Sequence, residues 1–367
     1  MSAPAAERLG VDERFFGAEA ERIARLCQAM AERFERRGRL LSVARSPRGW
    51  SDARHVAVEF VHPVIVGKRA LPALALAPEQ LDSLAEPDDM VIAFDPREDL
   101  AAATGRGCLT IAFCPDTAAD WVFVPPVSDP FVAQELAESL YHFLWEHVHV
   151  FLEHSGGQSR GGGASSFLYP FLAEQQGGDE ALIADVRESV LMKAREVAAL
   201  RAQTLGENSD VLAAAARGLR ESLAAGGRLL ALGNGGSATD AMDVVADFRE
   251  PPLSAAAIDL TADSAILTAI ANDIGTEAIF ARQVIAYGRA GDVLIALSTS
   301  GNSDNVIAAL GEARRRGIAT IALVGYDGGR VAAERRADHV LVTRSEHIPR
   351  IQEAQASAYH ALCELAR

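Results

Sequence analysis

The sequence predicts an α/β chain in which one fold, a mainly parallel sheet sandwiched by helices in three layers, is used twice. Three observations predict it: short apolar runs, an ordered internal repetition, and a Gly/Ser-rich segment that parts two stretches of similar length. The runs at 91–94, 109–113, 229–232, 293–297 and 320–324 are almost purely apolar. Such runs suit strands of a parallel sheet, which helices bury on both faces. The stretch from Ser155 to Ser166 is rich in Gly and Ser, offers nothing to pack, and reads as linker. The expected organisation is a first domain at 1–154, a linker at 155–178 and a second domain at 179–367.

The repetition has three anchors, in the same order in both halves. Gly38-Arg-Leu-Leu matches Gly227-Arg-Leu-Leu. The strand pair 91–94 and 109–113 parallels 294–297 and 319–323. The stretch from Gln134 to Glu146 is identical to that from Gln352 to Glu364 at seven of thirteen positions, without a gap. Such order points to duplication of one domain. Each copy is expected to open on a long amphipathic helix, at 15–37 and at 180–225. A strand after Gly38 or Gly227 follows, then alternating helices and strands, then a closing helix that carries the third anchor. The short middle segment of the first copy, 60–90, either covers a pocket or closes the sheet.

Lys+Arg 35 against Asp+Glu 50 leaves a net charge of −15. A protein that coats a nucleic-acid duplex needs a basic surface, so that class is disfavoured; no helix-turn-helix or basic arm is visible either. Cys27, Cys108, Cys114 and Cys363 lack C-x-x-C spacing, so neither a zinc ribbon nor a disulfide framework is indicated. With neither a secretory signal pattern nor an apolar run of about 20 residues, the expected setting is the cytoplasm.

The second copy carries the clearest chemistry. Its strand 229–232 runs into Gly233-Asn-Gly-Gly-Ser-Ala-Thr-Asp, with a helix after it. Glycines directly after a buried strand let the backbone turn sharply and aim the free N–H groups of a helix start at an anion. A second such turn, Ser298-Thr-Ser-Gly-Asn-Ser, follows strand 293–297 and opens a helix at Asp304. Either loop alone is most simply a turn with an N-cap. Two of them at the carboxyl ends of strands in one sheet mark a ligand site. Their hydroxyls and N–H groups make a neutral phosphate cradle, which suits an acidic protein. A dinucleotide site is disfavoured, because Gly233-Asn-Gly-Gly-Ser lacks the G-x-G-x-x-G spacing.

At these residues, together with Asp240-Ala-Met, Ala271-Asn-Asp-Ile-Gly, Gly328-Gly and Ile351-Gln-Glu, the sequence resembles the sugar isomerase (SIS) domain family, in particular its phosphoheptose isomerases. The resemblance covers about 185–367 and, through the duplication, extends more weakly over about 15–154. It implies two tandem SIS domains of flavodoxin-like three-layer form. It also implies that Gly235, Gly236, Ser237, Ser298, Thr299, Ser300 and Ser303 hold a sugar phosphate, with Asn234, Asp273, Asn302 and Gln352 at the same substrate site.

The family's isomerase chemistry further requires a carboxylate base, a histidine acid and, in metal-dependent members, a zinc ion held by His, Glu, Gln and His. The corresponding pattern, D-A-x-H-x-x-x-E followed by Q-x7-H, fails in the second copy. Asp243 and Asp247 stand at the His and Glu positions, and only Gln352 and His360 persist. In the first copy it is intact: His55 and Glu59 lie one helical turn apart, and Gln134 and His142 share a face within about 80°. The resemblance therefore implies His55, Glu59, Gln134 and His142 as metal ligands, with Glu59 and His142 as base and acid, or Asp247 and His360 in a second version. Yet the first copy has lost its phosphate loops. Ala44-Arg-Ser-Pro-Arg replaces the first, and Asp95-Pro-Arg-Glu-Asp puts three carboxylates in place of the second. His147, His149 and His154 have no family counterpart and are expected on a helix surface or at an interface, with Phe143 and Trp145 in the core.

The expected function is an aldose–ketose isomerase acting through an enediol on a phosphorylated sugar, sedoheptulose 7-phosphate by preference. The second copy would keep phosphate recognition and the first the metal and acid–base set, meeting in a composite site within or between chains. A homodimer would restore the four domains of a family tetramer. The alternative, from another class, is a non-catalytic sugar-phosphate sensor or assembly protein built from SIS domains.

Overall fold

A computed structural model describes residues 8, 10–64, 68–95, 100–115, 118–155 and 178–367. The chain divides into two compact units, 1–198 and 199–367. The expected linker lies outside the described residues, apart from its two ends.

The first unit holds strands β1 (Leu40–Val43), β2 (Ala73–Leu76), β3 (Met90–Ala93), β4 (Leu109–Ala112) and β5 (Trp121–Val122). They pair in the order β2-β1-β3-β4-β5, all parallel. The second unit holds β6 (Leu229–Leu232), β7 (Ala257–Asp259), β8 (Val293–Ser298), β9 (Ala319–Gly325) and β10 (His339–Thr343), ordered β7-β6-β8-β9-β10 and again all parallel. Counted from its own first strand, each sheet reads 2-1-3-4-5, the flavodoxin-like order, so the two copies share one topology. The anchors are in register as well: Leu40 pairs Met90 as Leu229 pairs Val293. The segment 60–90 contributes β2, on the edge beside β1, and so closes the sheet.

Burial follows from the apolar runs. Leu40, Ile92 and Ile111 face one core, with Phe16, Phe34 and Trp145, while Leu41, Val43, Val91, Ala93 and Ala112 face a second core with Leu81 and Leu100. Both faces of the sheet are covered, as a parallel sheet requires. Phe143 and Trp145 lie in the first of these cores.

Two expectations need correction. The helix expected at 180–225 is two helices, Asp179–Glu207 and Ser209–Ala224. Asn208 parts them: its side-chain amide donates to Thr204 O and Val342 O, and its Oδ1 accepts from Val342 N. An Asn that bonds local backbone in this way competes with helix continuation. His147 and His149, expected at a surface or interface, are buried in the first unit, whereas His154 is exposed. Each buried ring has oxygens within hydrogen-bond distance of both nitrogens: Phe143 O and Ser189 Oγ at His147, Trp145 O and Arg69 O at His149.

Candidate functional site

In the second unit the switch point of the sheet lies between β6 and β8, and both hydroxyl-rich loops leave from the carboxyl ends of these strands. Open α/β sheets bind ligands at that point. The first loop turns into the helix Gly236–Arg249, so Ser237 stands in its first turn, 4% exposed. A Cβ on Gly233 would come within 2.1 Å of Ser237 O, so only glycine lets the helix start pass this close. Gly235 has φ 58°, in the left-handed region. The second loop precedes the helix Asp304–Arg315, whose N-cap Ser303 makes no side-chain cap bond. Ser298 Oγ accepts from Gly301 N at 3.2 Å and lies 3.5 Å from Ser303 Oγ, while Ser300 Oγ accepts from Asn302 N. Thr299 supplies a carbonyl to Gly325 N.

The two asparagines hold the loops in place. Asn234 and Asn305 exchange reciprocal amide hydrogen bonds of 3.0 and 2.9 Å, tying the first loop to the helix after the second. Asn302 Oδ1 accepts from Arg330 N at 2.9 Å. Asp273 ends the exposed helix Ser264–Asp273 and accepts from Asn272 Nδ2. The neutral-cradle expectation needs one amendment: Arg330 stands beside the second loop, its guanidinium paired with Asp304 at 2.6 Å and with Glu334.

The corresponding place in the first unit is filled by the chain itself. The helix Pro47–Val61 starts after N-cap Ser46. Asp95 Oδ2 accepts from the N–H groups of Arg45 and Ser46, and its Oδ1 from the Ser46 hydroxyl. A carboxylate thus stands where the other copy offers N–H groups to an anion. Residues 96–99, including Glu98 and Asp99, lie outside the described residues.

The closing helices carry the second cluster. In the first unit, the helix Pro130–Ser155 carries Gln134, Glu138, Tyr141 and His142, of which the last three gather at His55, on the helix Pro47–Val61 that also carries Glu59. All six are buried. His142 Nε2 lies 3.4 Å from His55 Nε2, Tyr141 Oη is hydrogen-bonded to His55 Nδ1 at 3.0 Å, and Glu59 Oε1 is 3.9 Å from His55 Nε2. Burial, with the charge of His142 in second place, pushes the His55 pKa well below its ordinary value, so the ring is neutral at pH 7. Burial also lifts the Glu59 carboxyl to about 7, against the attraction of His142 and with a smaller push from Glu146. A carboxyl poised there suits proton transfer near neutral pH.

Two imidazole nitrogens at about 2.0–2.1 Å from a tetrahedral zinc ion sit about 3.3 Å apart. The 3.4 Å between His55 and His142 meets that requirement. The donors that gather within 4.8 Å of one another are His55, Glu138 and His142.

The second unit repeats the arrangement with changed chemistry. His360 Nε2 lies 3.5 Å from Asp247 Oδ2, both fully buried, and Tyr359 donates to Asp243 Oδ2 at 3.4 Å, with Gln352 buried on the same helix. Sequence reasoning missed Tyr141, Tyr359, Glu138, Asn305 and Arg330 as members of these sites. The tyrosines had a signal, the Tyr-His pair identical in both copies, and Glu138 had another, standing one helical turn before His142.

A family profile described as SIS domain matches residues 194–325. The phosphoheptose isomerase of Nitratidesulfovibrio vulgaris is 42% identical over 187 residues, 49% of this chain and 88% of that protein. The phosphoheptose isomerase of Desulfovibrio desulfuricans is 45% identical over 179 residues, 47% of this chain and 83% of that protein. Over nearly the whole chain the fold resembles two solved structures. One is the tagatose-6-phosphate ketose/aldose isomerase of Escherichia coli, with TM-score 0.55, 14% identity, and 98% and 92% of the two chains covered. The other is the C-terminal domain of the glucosamine-fructose-6-phosphate aminotransferase of Francisella tularensis, with TM-score 0.60, 12% identity, and 97% and 95% covered. At such identities the likeness is one of fold.

Proposed function

The chain belongs to the SIS-domain phosphosugar isomerase family, and from that premise we propose that it interconverts an aldose phosphate and a ketose phosphate, with sedoheptulose 7-phosphate as the ketose. The observation that carries the proposal is the pair of hydroxyl and N–H loops at the switch point between β6 and β8, with Arg330 beside the second. The heptose preference rests on the relatives, which match about half of this chain. A cytoplasmic homodimer completes the proposal.

Ser237, Ser298, Thr299, Ser300 and Ser303, with the N–H groups of the two helix starts, hold the phosphate end. Isomerisation breaks the C–H bond beside the carbonyl, turns its electron pair into the enediol double bond while the carbonyl oxygen takes a proton, then returns a proton to the former carbonyl carbon as the other enediol hydroxyl gives up its proton and becomes the new carbonyl. Glu59 carries the proton at carbon, and His142 serves the oxygen. Zinc, bound at His55 and His142, would polarise that oxygen in place of a proton from His142. Asp247 with His360 is the second assignment for the acid–base pair.

An assay of sedoheptulose 7-phosphate isomerisation tests the proposal. Ser237→Ala is expected to raise KM on the order of tenfold by removing a charge-assisted hydrogen bond. Glu59→Gln is expected to lower kcat at least about 100-fold. Loss of turnover in Asp247→Asn with full activity in Glu59→Gln would move the base to the second copy. Sugar-phosphate binding with no turnover in the wild-type protein would instead establish the sensor, which the aspartates at 243 and 247 favour.

A further inference from the structure

We infer that the metal of the first unit is held by His55, Glu138 and His142, and that Glu59 is left outside the ligand set. The family pattern implied His55, Glu59, Gln134 and His142, but the carboxylate that gathers with the two histidines is Glu138 rather than Glu59. Only His55, Glu138 and His142 form a described group of His, Cys, Asp and Glu whose donor atoms all lie within 4.8 Å of one another. Glu59 approaches His55 at 3.9 Å and does not join that group.

Helical geometry places Glu138 beside His142. Gln134, Glu138 and His142 form a ladder at four-residue spacing along one face of the helix Pro130–Ser155. Glu138 stands one turn before His142 on that face, close enough to share one ion with it. A carboxylate is also the stronger donor to a divalent ion than a neutral amide.

The two copies provide an internal comparison. Alignment of their closing helices sets Gln134 against Gln352, His142 against His360, and Glu138 against Ala356. The helix before them sets His55 against Asp243. Both members of the inferred set that distinguish it from a bare Gln-His pair, His55 and Glu138, are therefore present only in the first copy. Glu138 is buried, 3% exposed, with both histidines. Tyr141 stands at His55 Nδ1, where an N–H can donate to the hydroxyl oxygen and turn the Nε2 lone pair toward His142 and the metal.

The ligand assignment stands on this geometry, while the role left to Glu59 as proton acceptor rests on the isomerase reading. Titration of the chelator-stripped full chain with Co²⁺ and Zn²⁺ tests it, read by the visible absorption of tetrahedral cobalt and by calorimetry. The wild-type protein is expected to bind one ion per chain. Glu138→Gln is expected to weaken binding at least about 100-fold, and Glu59→Gln to leave it within about threefold. Glu138→His, which restores a nitrogen donor, is expected to keep the ion and shift the cobalt spectrum; it also serves if the Gln variant fails to fold. Unchanged affinity in Glu138→Gln, an equal loss in Glu59→Gln, or no ion bound by the wild type overturns the inference. Cobalt bound as described without heptulose phosphate turnover upholds it and overturns the isomerase reading instead.

Discussion

Asp89 accepts from Arg39 N and pairs with the Arg39 guanidinium at 2.7 Å, and Asp292 does the same for Arg228 at 2.9 and 2.8 Å. Thr110 with Asp120 and Thr320 with Asp338 repeat a second closed exchange of hydrogen bonds. These pairs sit at equivalent strand ends in both copies, so duplication preserved the polar contacts that set strand register. Other residues diverged. His149 is buried with carbonyl oxygens at both ring nitrogens and the Lys68–Glu153 ion pair nearby. Burial pushes its pKa down, more than the two carbonyls and Glu153 raise it. The folded ring then holds fewer protons than the unfolded chain below the ordinary value of 6.5, so its contribution to stability is present above pH 6.5 and is lost as pH falls. His55, lowered for the same first reason, adds to this loss. Urea midpoints of wild type and His149→Gln, compared at pH 7.5 and 5.5, are expected to show the larger acid drop in the wild type. Parallel drops would exclude His149 as a source.

Among elements, the junction of helices Asp179–Glu207 and Ser209–Ala224 shows how one side chain redirects a helix. Asn208 replaces helix continuation with two hydrogen bonds to the edge strand β10, serving both the N–H and the C=O of Val342. Asn208→Ala would leave those backbone groups short of partners, a loss of about 2 kcal/mol. Amide exchange at Val342 is expected to accelerate in step with that loss; unchanged protection would refute the link. The helix Pro47–Val61 makes a related point. Its start, anion-ready by construction, is satisfied by Asp95 from the loop after β3, and the same element carries His55 and Glu59 farther along. The carboxylate at one end of the element leaves the His55–Glu59 pair at the other in place.

At the scale of the molecule, the unit boundary falls at 198/199, within a helix that the sequence reading gave wholly to the second domain. Leu182, Ile183, Val186, Val190 and Ala194 belong to the core of the first unit, and Lys193 pairs with Glu146 at 2.8 Å. At about 25 cal/mol per Å² of apolar surface, those side chains contribute on the order of 5–10 kcal/mol to that unit. A fragment of residues 1–198 is accordingly expected to melt well above one of residues 1–178; equal melting temperatures would show that the helix adds nothing. Among the described residues no helix is long and apolar enough to cross a membrane, and the four cysteines are buried.

Much of this was legible in the linear sequence. The apolar runs marked the central strands, the anchors marked the duplication, and the Gly and Ser loops marked the two helix starts at the carboxyl ends of β6 and β8, because each depends on residues adjacent in the chain. The short edge strands were not legible: β5 is only Trp121–Val122, and β7 only Ala257–Asp259. Their existence depends on a neighbour to pair with. Tertiary structure alone decided that Asp95 occupies the first copy's helix start, that Asn234 is engaged by Asn305, and that Glu138 joins His55 and His142. Each of these meetings joins residues far apart in sequence, and packing, which local pattern does not encode, sets the distance between them.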